Sequence, residues 1–433
     1  MTVALVGFAF LLVLCFLGFP LGFSTLLTGL AGFAYMRGWD WHAAVTMMAQ
    51  QIVDTGANYG LSVIPLFLLM GVFIHRANIS EDLFEASNAL LGRYMGGLAQ
   101  STVLACAGFA AVSGSSLATA ATMTKVAMPH MRRYGYDDAL SSGVIAAGGT
   151  LGIMIPPSVP LVIYGLVAEQ DIGKLFIAGV FPGILLVALY MATVRAVVWR
   201  RPEAGPAGAP VPRTERLRAY LNVWPVVVLF VVVLGGIYFG VFTSTEASGI
   251  GATGAAAFAW WRRRLRTLAQ LYGSLLEACR TTAALFIVIF GAQVFSNFID
   301  LSGLPNSLVD LVAGMHLSPT GTVFAICVIC ILLGMIFEAI GILLVIVPVF
   351  LPILISQDVN LIWFGVVMIL VVELGLVTPP IGMNVFTVRA MMPDIELPRI
   401  FRGVMPFVTA DLVALGLLFA FPAIATWLVT LKW

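Results

Sequence analysis

Ser113-Gly-Ser-Ser-Leu-Ala-Thr-Ala-Ala-Thr122 is a polar, small-residue stretch set between the apolar run Leu104–Ala111 and the basic segment Lys125–Arg133. A soluble protein places such a run in a surface loop. This chain has 433 residues, of which 61% are hydrophobic and 10% charged, with a mean hydropathy of +1.04. A soluble domain carries roughly a quarter charged residues, so lipid must be part of this chain's solvent. Non-helical backbone at membrane depth is tolerated only when it is buried in protein or lines a watery cavity. A Gly-Ser-Ser turn there offers carbonyl and hydroxyl oxygens, an environment suited to a hard cation.

A second interruption follows at Gly148-Gly-Thr-Leu-Gly-Ile-Met-Ile-Pro-Pro-Ser158. Both interruptions have counterparts downstream. Leu151-Gly-Ile-Met-Ile-Pro-Pro157 matches Leu374-Gly-Leu-Val-Thr-Pro-Pro380 at an offset of 223 residues. The same offset carries Pro129 onto Pro352 and Ser115 onto Glu338, and Leu66-Phe67 aligns with Leu285-Phe286 at 219. Apolar matches arise easily by chance, but a shared Pro-Pro and breaks in the same order do not. The period is too long for a solenoid. It predicts an all-α polytopic membrane protein of two repeated halves, each with a re-entrant hairpin and a discontinuous helix, facing one another across a central site.

Other classes find little support. The formal net charge of +1 gives no footprint for nucleic acid. Five cysteines are too few and scattered for a disulfide scaffold, and Cys327-x-x-Cys330 lies in an apolar run without a second pair. His42, His75, His130 and His316 form no metal-ligand spacing, and no G-x-S-x-G or nucleotide motif supports an enzyme. A channel would want a continuous polar face where this chain has paired breaks. The N-terminus lacks a basic n-region and a clear cleavage site, so it reads as a retained membrane segment kinked near Gly18-Phe-Pro20, with Val3–Phe16 and Leu21–Tyr35 as one broken span.

The chain then reads in order. His42–Val53 is an interfacial helix beginning at Asp40-Trp41. Ser62–Ile74 is a short span. Ser80 caps an amphipathic piece that runs to Arg93 along the interface. Gly97–Ala111 and Leu117–Pro129 make a re-entrant hairpin, being too short for two crossings. Tyr136-Asp-Asp138 opens a helix that runs to Gly148 and breaks over 149–157. Phe176–Trp199 is a full span. Arg200–Arg218, rich in proline, glycine and arginine, is a cytoplasmic linker expected to be dispensable for the core fold. Leu221–Phe242 and Ala247–Trp261 cross out and back to the basic cluster Arg262–Arg266. An amphipathic arm over 267–280, a span at Ala283–Ile299, a short segment at Leu304–Met315, a second hairpin from Thr320 through Ile336 and Glu338–Gly341, a second break at Thr378-Pro-Pro380, and a last crossing at Val404–Leu428 complete it. The expected organisation is scaffold and arm in 1–97, a first transport block in 98–185, scaffold with linker and second arm in 186–318, a second transport block in 319–392, and a C-terminal helix in 393–433.

For Ser113, Ser115, Ser116 and Thr119, the competing readings are a tight small-residue helix contact and a cation site shared with Gly149-Thr150. Pro156-Pro157 and Pro379-Pro380 shape the breaks and free upstream carbonyls. Glu338 and Glu373 are carboxylates at membrane depth, where ionisable groups are costly and usually functional. Arg389 either attracts an anion or snorkels to an interface.

Ser113–Thr122, Arg132-Arg-Tyr-Gly-Tyr136, Gly149–Ser158 and Ile64-Pro-Leu-Phe67 resemble the large membrane subunit of tripartite ATP-independent periplasmic (TRAP) transporters. Glu338-Ala-Ile-Gly-Ile-Leu343 with Val347-Pro348, and Glu373–Asn384, resemble its second-half motifs. The likeness covers nearly the whole chain in order, the stretch 200–218 being the variable part. The resemblance implies an elevator-type transporter of the bacterial inner membrane that imports a small organic acid (a carboxylate or a sialic-acid-like sugar acid) on a sodium gradient. It implies a periplasmic binding protein that delivers the acid and a small four-helix membrane subunit, expected as a separate chain, with no cofactor beyond Na⁺. Carried onto this chain, the sodium sites comprise Ser113, Gly114, Ser115, Ser116 and Thr119 with Gly149, Thr150, Pro156 and Ser158, and then Gly334, Glu338 and Gly341 with Thr378 and Pro379. The substrate would meet Ser116, Pro157, Ser158, Asn384 and Arg389. The alternative within the class is a stand-alone dicarboxylate symporter without a binding protein.

Overall fold

A computed structural model describes residues 2–335 and 337–432; Ile336, in the expected second hairpin, lies outside them. Among the described residues the regular structure is helical, with twenty α-helices. Six are long and apolar enough to cross a membrane, and a seventh span results if the pair flanking the first Pro-Pro, bent by 43°, is taken as one.

The chain begins with α1 (Thr2–Phe16), α2 (Leu21–Met36), α3 (Trp41–Gly56), α4 (Val63–Arg76) and α5 (Ile79–Leu91). The first two are not one kinked span. A Cβ on Gly7 or on Gly32 would each strike the ring of Phe298, so α1 folds back on α2 through the turn at Gly18, whose φ is +87°. Proline at 20 starts the second helix rather than bending the first. The interfacial α3 is as expected, with the Asp40 carboxylate accepting from the Ala43 N–H. The cap of α5 is Asn78, in the left-handed region, and Ser80 is buried in the first turn. Asn supplies that conformation at lower cost than serine. The helix does not lie free at the interface, since Leu83, Phe84 and Ala89 are buried and Asp82 pairs with Arg262.

The first hairpin is α6 (Gly97–Ser113) and α7 (Ser116–Arg133), followed by α8 (Asp138–Met154), α9 (Val159–Val167) and α10 (Ile172–Arg200). The expected break at Gly148-Gly149 does not occur. Helix α8 runs through both glycines to Met154, because they are contact points: a Cβ would meet Cys106 from Gly148 and Ala120 from Gly149. Small residues here let neighbouring backbones approach.

Next come α11 (Arg213–Tyr238), α12 (Ser244–Trp261), α13 (Leu268–Leu301) and α14 (Leu304–Gly314). The predicted arm over 267–280 and the span after it are one helix of 34 residues, about 50 Å long at 1.5 Å per residue. That exceeds a hydrocarbon core of about 30 Å, so its polar first turns project, held by the Arg76–Glu277 pair at 2.8 Å. Its apolar part lies against α2 backbone to backbone. A Cβ on Gly291 would come within 2.1 Å of the Gly22 oxygen.

The second hairpin is α15 (Pro319–Gly334) and α16 (Ala339–Ser356), followed by α17 (Leu361–Val377), α18 (Met383–Met391), α19 (Leu397–Ala420) and α20 (Ala423–Thr430). The expected last crossing is divided at Phe421-Pro422. Helix α19 packs along α8, where a Cβ on Gly403 would fall 1.8 Å from the Ala139 oxygen. By packing, α19 therefore goes with the first hairpin-and-break block rather than standing apart.

The linker also differs from expectation. Its first part docks through three backbone hydrogen bonds: Gly96 N–H to Gly205 O at 2.8 Å, Asp137 N–H to Ala204 O at 3.0 Å and Gly208 N–H to Gly92 O at 2.9 Å. Glycine and proline here shape a chain whose polar groups are satisfied by its neighbours. We predict that Gly205→Val, whose Cβ would lie 2.8 Å from Val198 Cγ2 and 3.2 Å from Gly96 Cα, lowers the stability of the detergent-purified protein by about 1–3 kcal/mol, the usual cost of overpacking. Ala207→Cys, on the exposed side, should leave the thermal midpoint unchanged and react with an impermeant thiol reagent only from the cytoplasmic face.

Candidate functional site

A helix that ends inside a membrane leaves up to four carbonyls without intrahelical partners, and one that begins there leaves four N–H groups. The first hairpin places such ends together. Gly114 closes α6 in the left-handed region at φ +60°, and Ser115 caps α7, its hydroxyl accepting from Ala118 N–H at 3.4 Å. The tip rests on the first break: a Cβ on Gly114 would lie 3.4 Å from the Pro157 oxygen, and one on Gly152 would lie 2.7 Å from the Ser115 oxygen. The C-terminal ends of α6 and α8 thus converge with the N-terminal ends of α7 and α9. Carbonyl ends favour a cation, and amide ends favour an anion.

The hydroxyls are tied locally. Ser113 Oγ lies 2.9 Å from Thr119 Oγ1, and Thr119 donates to the Ser115 carbonyl at 2.7 Å. Ser158, fully buried, donates to the Ile153 carbonyl at 2.5 Å. Ser116 donates to Asn384 Oδ1 at 2.7 Å, and Asn384 Nδ2 donates to the Ala146 carbonyl at 3.1 Å. Asn384 therefore links the second break to the first hairpin, and Gly149 faces it, with a Cβ there 3.1 Å from Asn384 Nδ2.

Thr150 is placed elsewhere. Its hydroxyl donates to the Ala147 carbonyl at 2.6 Å and lies 3.3 Å from the Tyr190 hydroxyl. At about 100° per residue it stands some 160° round α8 from Gly152, on the face opposite the hairpin tip. The Tyr190 hydroxyl in turn donates to Asp411 Oδ1 at 2.6 Å. Glu373 and Asp411 are both 0% exposed, and both Glu373 oxygens lack a hydrogen-bond partner among the described residues. These groups form a buried polar cluster apart from the cavity.

In the second half, Glu338 holds the place that Ser115 holds in the first: it is the N-cap of the returning helix. Its side chain makes no capping bond and is exposed to the cavity. Gly334 packs on Gly375, with a Cβ 3.2 Å from its Cα. Thr378 donates to the Leu374 carbonyl at 2.5 Å. The peptide bonds before Pro157 and Pro380 are both cis, and Pro379 is exposed where Pro156 is buried. Gly341 faces Leu21, whose Cδ2 would be 2.2 Å from its Cβ, so it is on the scaffold side. Arg389 does not reach the cavity. Its guanidinium closes the end of α18 on the carbonyls of Pro393 and of Ile395, the latter at 2.7 Å.

A cavity of 390 Å³ lies over the first tip, between α4, α7, α13 and Glu338. Ala118, Ala121, Thr122 and Lys125 line it as one face of α7, at i, i+3, i+4 and i+7. Lys125, not Arg389, brings a positive charge to this wall. Among the described residues Lys125 makes no hydrogen bond or ion pair. Its place was legible: counting helical turns from Ser115 puts it on the tip's own face. His75, at the end of α4, lines the cavity; a few residues on, Asp82 pairs with Arg262, so this side of the cavity is the one near the arginine cluster 262–266, the side that the positive-inside rule makes cytoplasmic.

Residues 8–424 match the family described as "Tripartite ATP-independent periplasmic transporter, DctM component". The chain is 35% identical over 382 residues to the C4-dicarboxylate TRAP transporter large permease protein DctM of Pseudomonas aeruginosa, covering 88% of this chain and 89% of that one. It is 29% identical over 415 residues to the sialic acid TRAP transporter permease protein SiaT of Haemophilus influenzae, covering 96% of this chain and 66% of that longer one. In fold it is similar to the YdaH transporter of Alcanivorax borkumensis, with a TM-score of 0.64, 14% identity and 90% of each chain covered. With the hairpin and break motifs in place along nearly its whole length, the chain belongs to the DctM family and is a large, multi-pass permease subunit of the TRAP transporters.

Proposed function

We propose that this subunit carries a small organic acid across the bacterial inner membrane, driven by sodium, by moving its hairpin-and-break block against a scaffold. The observation that carries the reading is the meeting of the Ser113–Ser116 tip with the first break and, through Asn384, with the second. The acid class is supported by the relatives, whose names give C4-dicarboxylates and sialic acid. The same family reading supplies the partners: a periplasmic binding protein that delivers the acid, and a small membrane subunit that braces the scaffold.

The donor set fits sodium. Carbonyls at the ends of α6 and α8 and the hydroxyls of Ser113, Ser115 and Thr119 are neutral hard oxygens. In this reading Gly114, Gly149, Pro156 and Ser158 shape and back that site, and the Thr150 hydroxyl takes no part. A second site takes Gly334, Glu338, Thr378 and Pro379. An organic acid in the cavity meets the amide end of α7 beside Ser115 and Ser116, with the Lys125 ammonium further along. Pro157 and Ser158 support the tip from behind, and Arg389 holds the end of α18. The moving block combines 98–185 and 319–392 with α19.

Two experiments test this. Uptake of succinate or N-acetylneuraminate into proteoliposomes is measured with the small subunit and the loaded binding protein, under a sodium gradient or a pH gradient alone. Ser115→Ala should raise the half-saturating sodium concentration about tenfold, the scale of one lost ligand in a buried polar site. Glu338→Gln, which alters the second site and spares the first, should slow uptake without abolishing its sodium dependence. Robust accumulation on a pH gradient in sodium-free buffer would overturn the assignment.

The second concerns movement. A Cβ on Gly71, in the α4 wall, would lie 3.5 Å from Ser113 Cα. A Gly71→Cys, Ser113→Cys pair should therefore form a disulfide that arrests uptake, reversibly on reduction. Unchanged uptake by a fully cross-linked population would exclude a block that slides past α4.

A further inference from the structure

We propose that a second cavity, of 620 Å³, between the cytoplasmic ends of α8, α10 and α19 binds the phosphate-bearing head of an anionic phospholipid. Four arginines line it: Arg200 and Arg201 from the end of α10, and Arg399 and Arg402 from the start of α19. Two carboxylates, Asp137 and Glu396, line it too. Arg399 already covers Asp137, donating to Oδ1 at 2.8 Å. The side chains of Arg200, Arg201 and Arg402 donate no hydrogen bond among the described residues, and Arg201 adds its charge to that of Arg399 beside Asp137. Three guanidinium groups with unused donors thus converge on one concavity. A planar fork matches phosphate oxygens in pairs.

The surface of α19 beyond the cavity says which phosphate. Arg399, Arg402, Met405, Leu412 and Val413 fall within an arc of about 140° round α19, at 100° per residue. That face is basic at its cytoplasmic end and apolar beyond, with Met405 44%, Leu412 49% and Val413 51% exposed. Trp199, 82% exposed, stands beside Arg200 at the depth where interfacial tryptophans sit. A charged head above an exposed apolar stripe has the profile of a phospholipid, whereas free phosphate would use only the arginines. Basic recesses between membrane helices on the cytoplasmic side are suited to anionic heads. Simple positive-inside bias accounts for arginines near this surface, but not for their convergence on one recess over an apolar stripe.

The test does not depend on what the protein transports. The full chain is purified in detergent and examined by native mass spectrometry with phosphatidylglycerol, phosphatidylcholine or inorganic phosphate. Phosphatidylglycerol should stay bound under activation that strips phosphatidylcholine. Arg200→Gln, Arg201→Gln, Arg402→Gln together should reduce its bound fraction about tenfold, the scale of lost charge-assisted hydrogen bonds. Arg263→Gln, Arg264→Gln, which removes exposed charge on the same side, should not. Equal retention of the two lipids, or an equal loss in the control variant, overturns the proposal. Full competition by millimolar phosphate, with no preference for the lipid, overturns the lipid and leaves a bare phosphate site. Should the triple variant fold poorly, the thermal midpoint of the unaltered protein decides: it should rise with phosphatidylglycerol and not with phosphatidylcholine or phosphate.

Discussion

The backbone's need for hydrogen bonds inside lipid is the constraint on which this structure depends. A helix can be interrupted at membrane depth only where something else receives its end groups. The interruptions here receive one another. The Gly114 turn sits on the Pro157 carbonyl and Gly152 lies under the Ser115 carbonyl, while Ser158 and Thr378 return hydroxyl donors to the carbonyls of Ile153 and Leu374. Because the ends are grouped, so are their partial charges, and a cavity over them presents cation-seeking and anion-seeking dipoles side by side. The chemistry of the site follows from making broken helices tolerable.

Side chains obey the same rule with fewer options. Ser116 and Asn384 satisfy each other and the Ala146 carbonyl, which binds two distant parts of the chain into one body. Tyr190 does the same for one oxygen of Asp411 on α19, while Asp411 Oδ2 has no partner among the described residues. Glu373 departs from the rule, being fully enclosed with neither oxygen partnered among the described residues. It is carried by α17 and lies beside Thr150, on the side of α8 turned away from Ser115 and Glu338, which meet the cavity directly. Close backbone approach at Gly143 and Gly403 keeps α8 and α19 packed together.

Glycine was the residue whose meaning changed most between sequence and structure. In the sequence Gly148-Gly149 marks a break, since glycine costs about 1 kcal/mol in a helix interior. In the fold each faces a neighbour with no room for a methyl group, and packing outweighs that local cost. The proline pairs carried the opposite lesson. Single prolines such as Pro129 and Pro182 are carried inside helices, but two in a row remove two N–H donors and restrict the residue before each, so the breaks at 156–157 and 379–380 were legible directly. Arg389 and Lys125 divide in the same way. Both are cations in apolar sequence, and only the position of the carbonyls at the end of α18 decided that Arg389 was already occupied.

From the sequence alone came the solvent, the all-helical class, the two proline-pair breaks and the small polar residues at the first tip. Each depends on composition or on local dihedral restriction. Only the tertiary structure decided that α1 folds back on α2, that the 200–218 segment docks, that Thr150 turns from the tip, and that α19 joins the hairpin block. These depend on which surfaces meet across hundreds of residues. Helical periodicity names a face, and only the packed neighbours determine what that face touches.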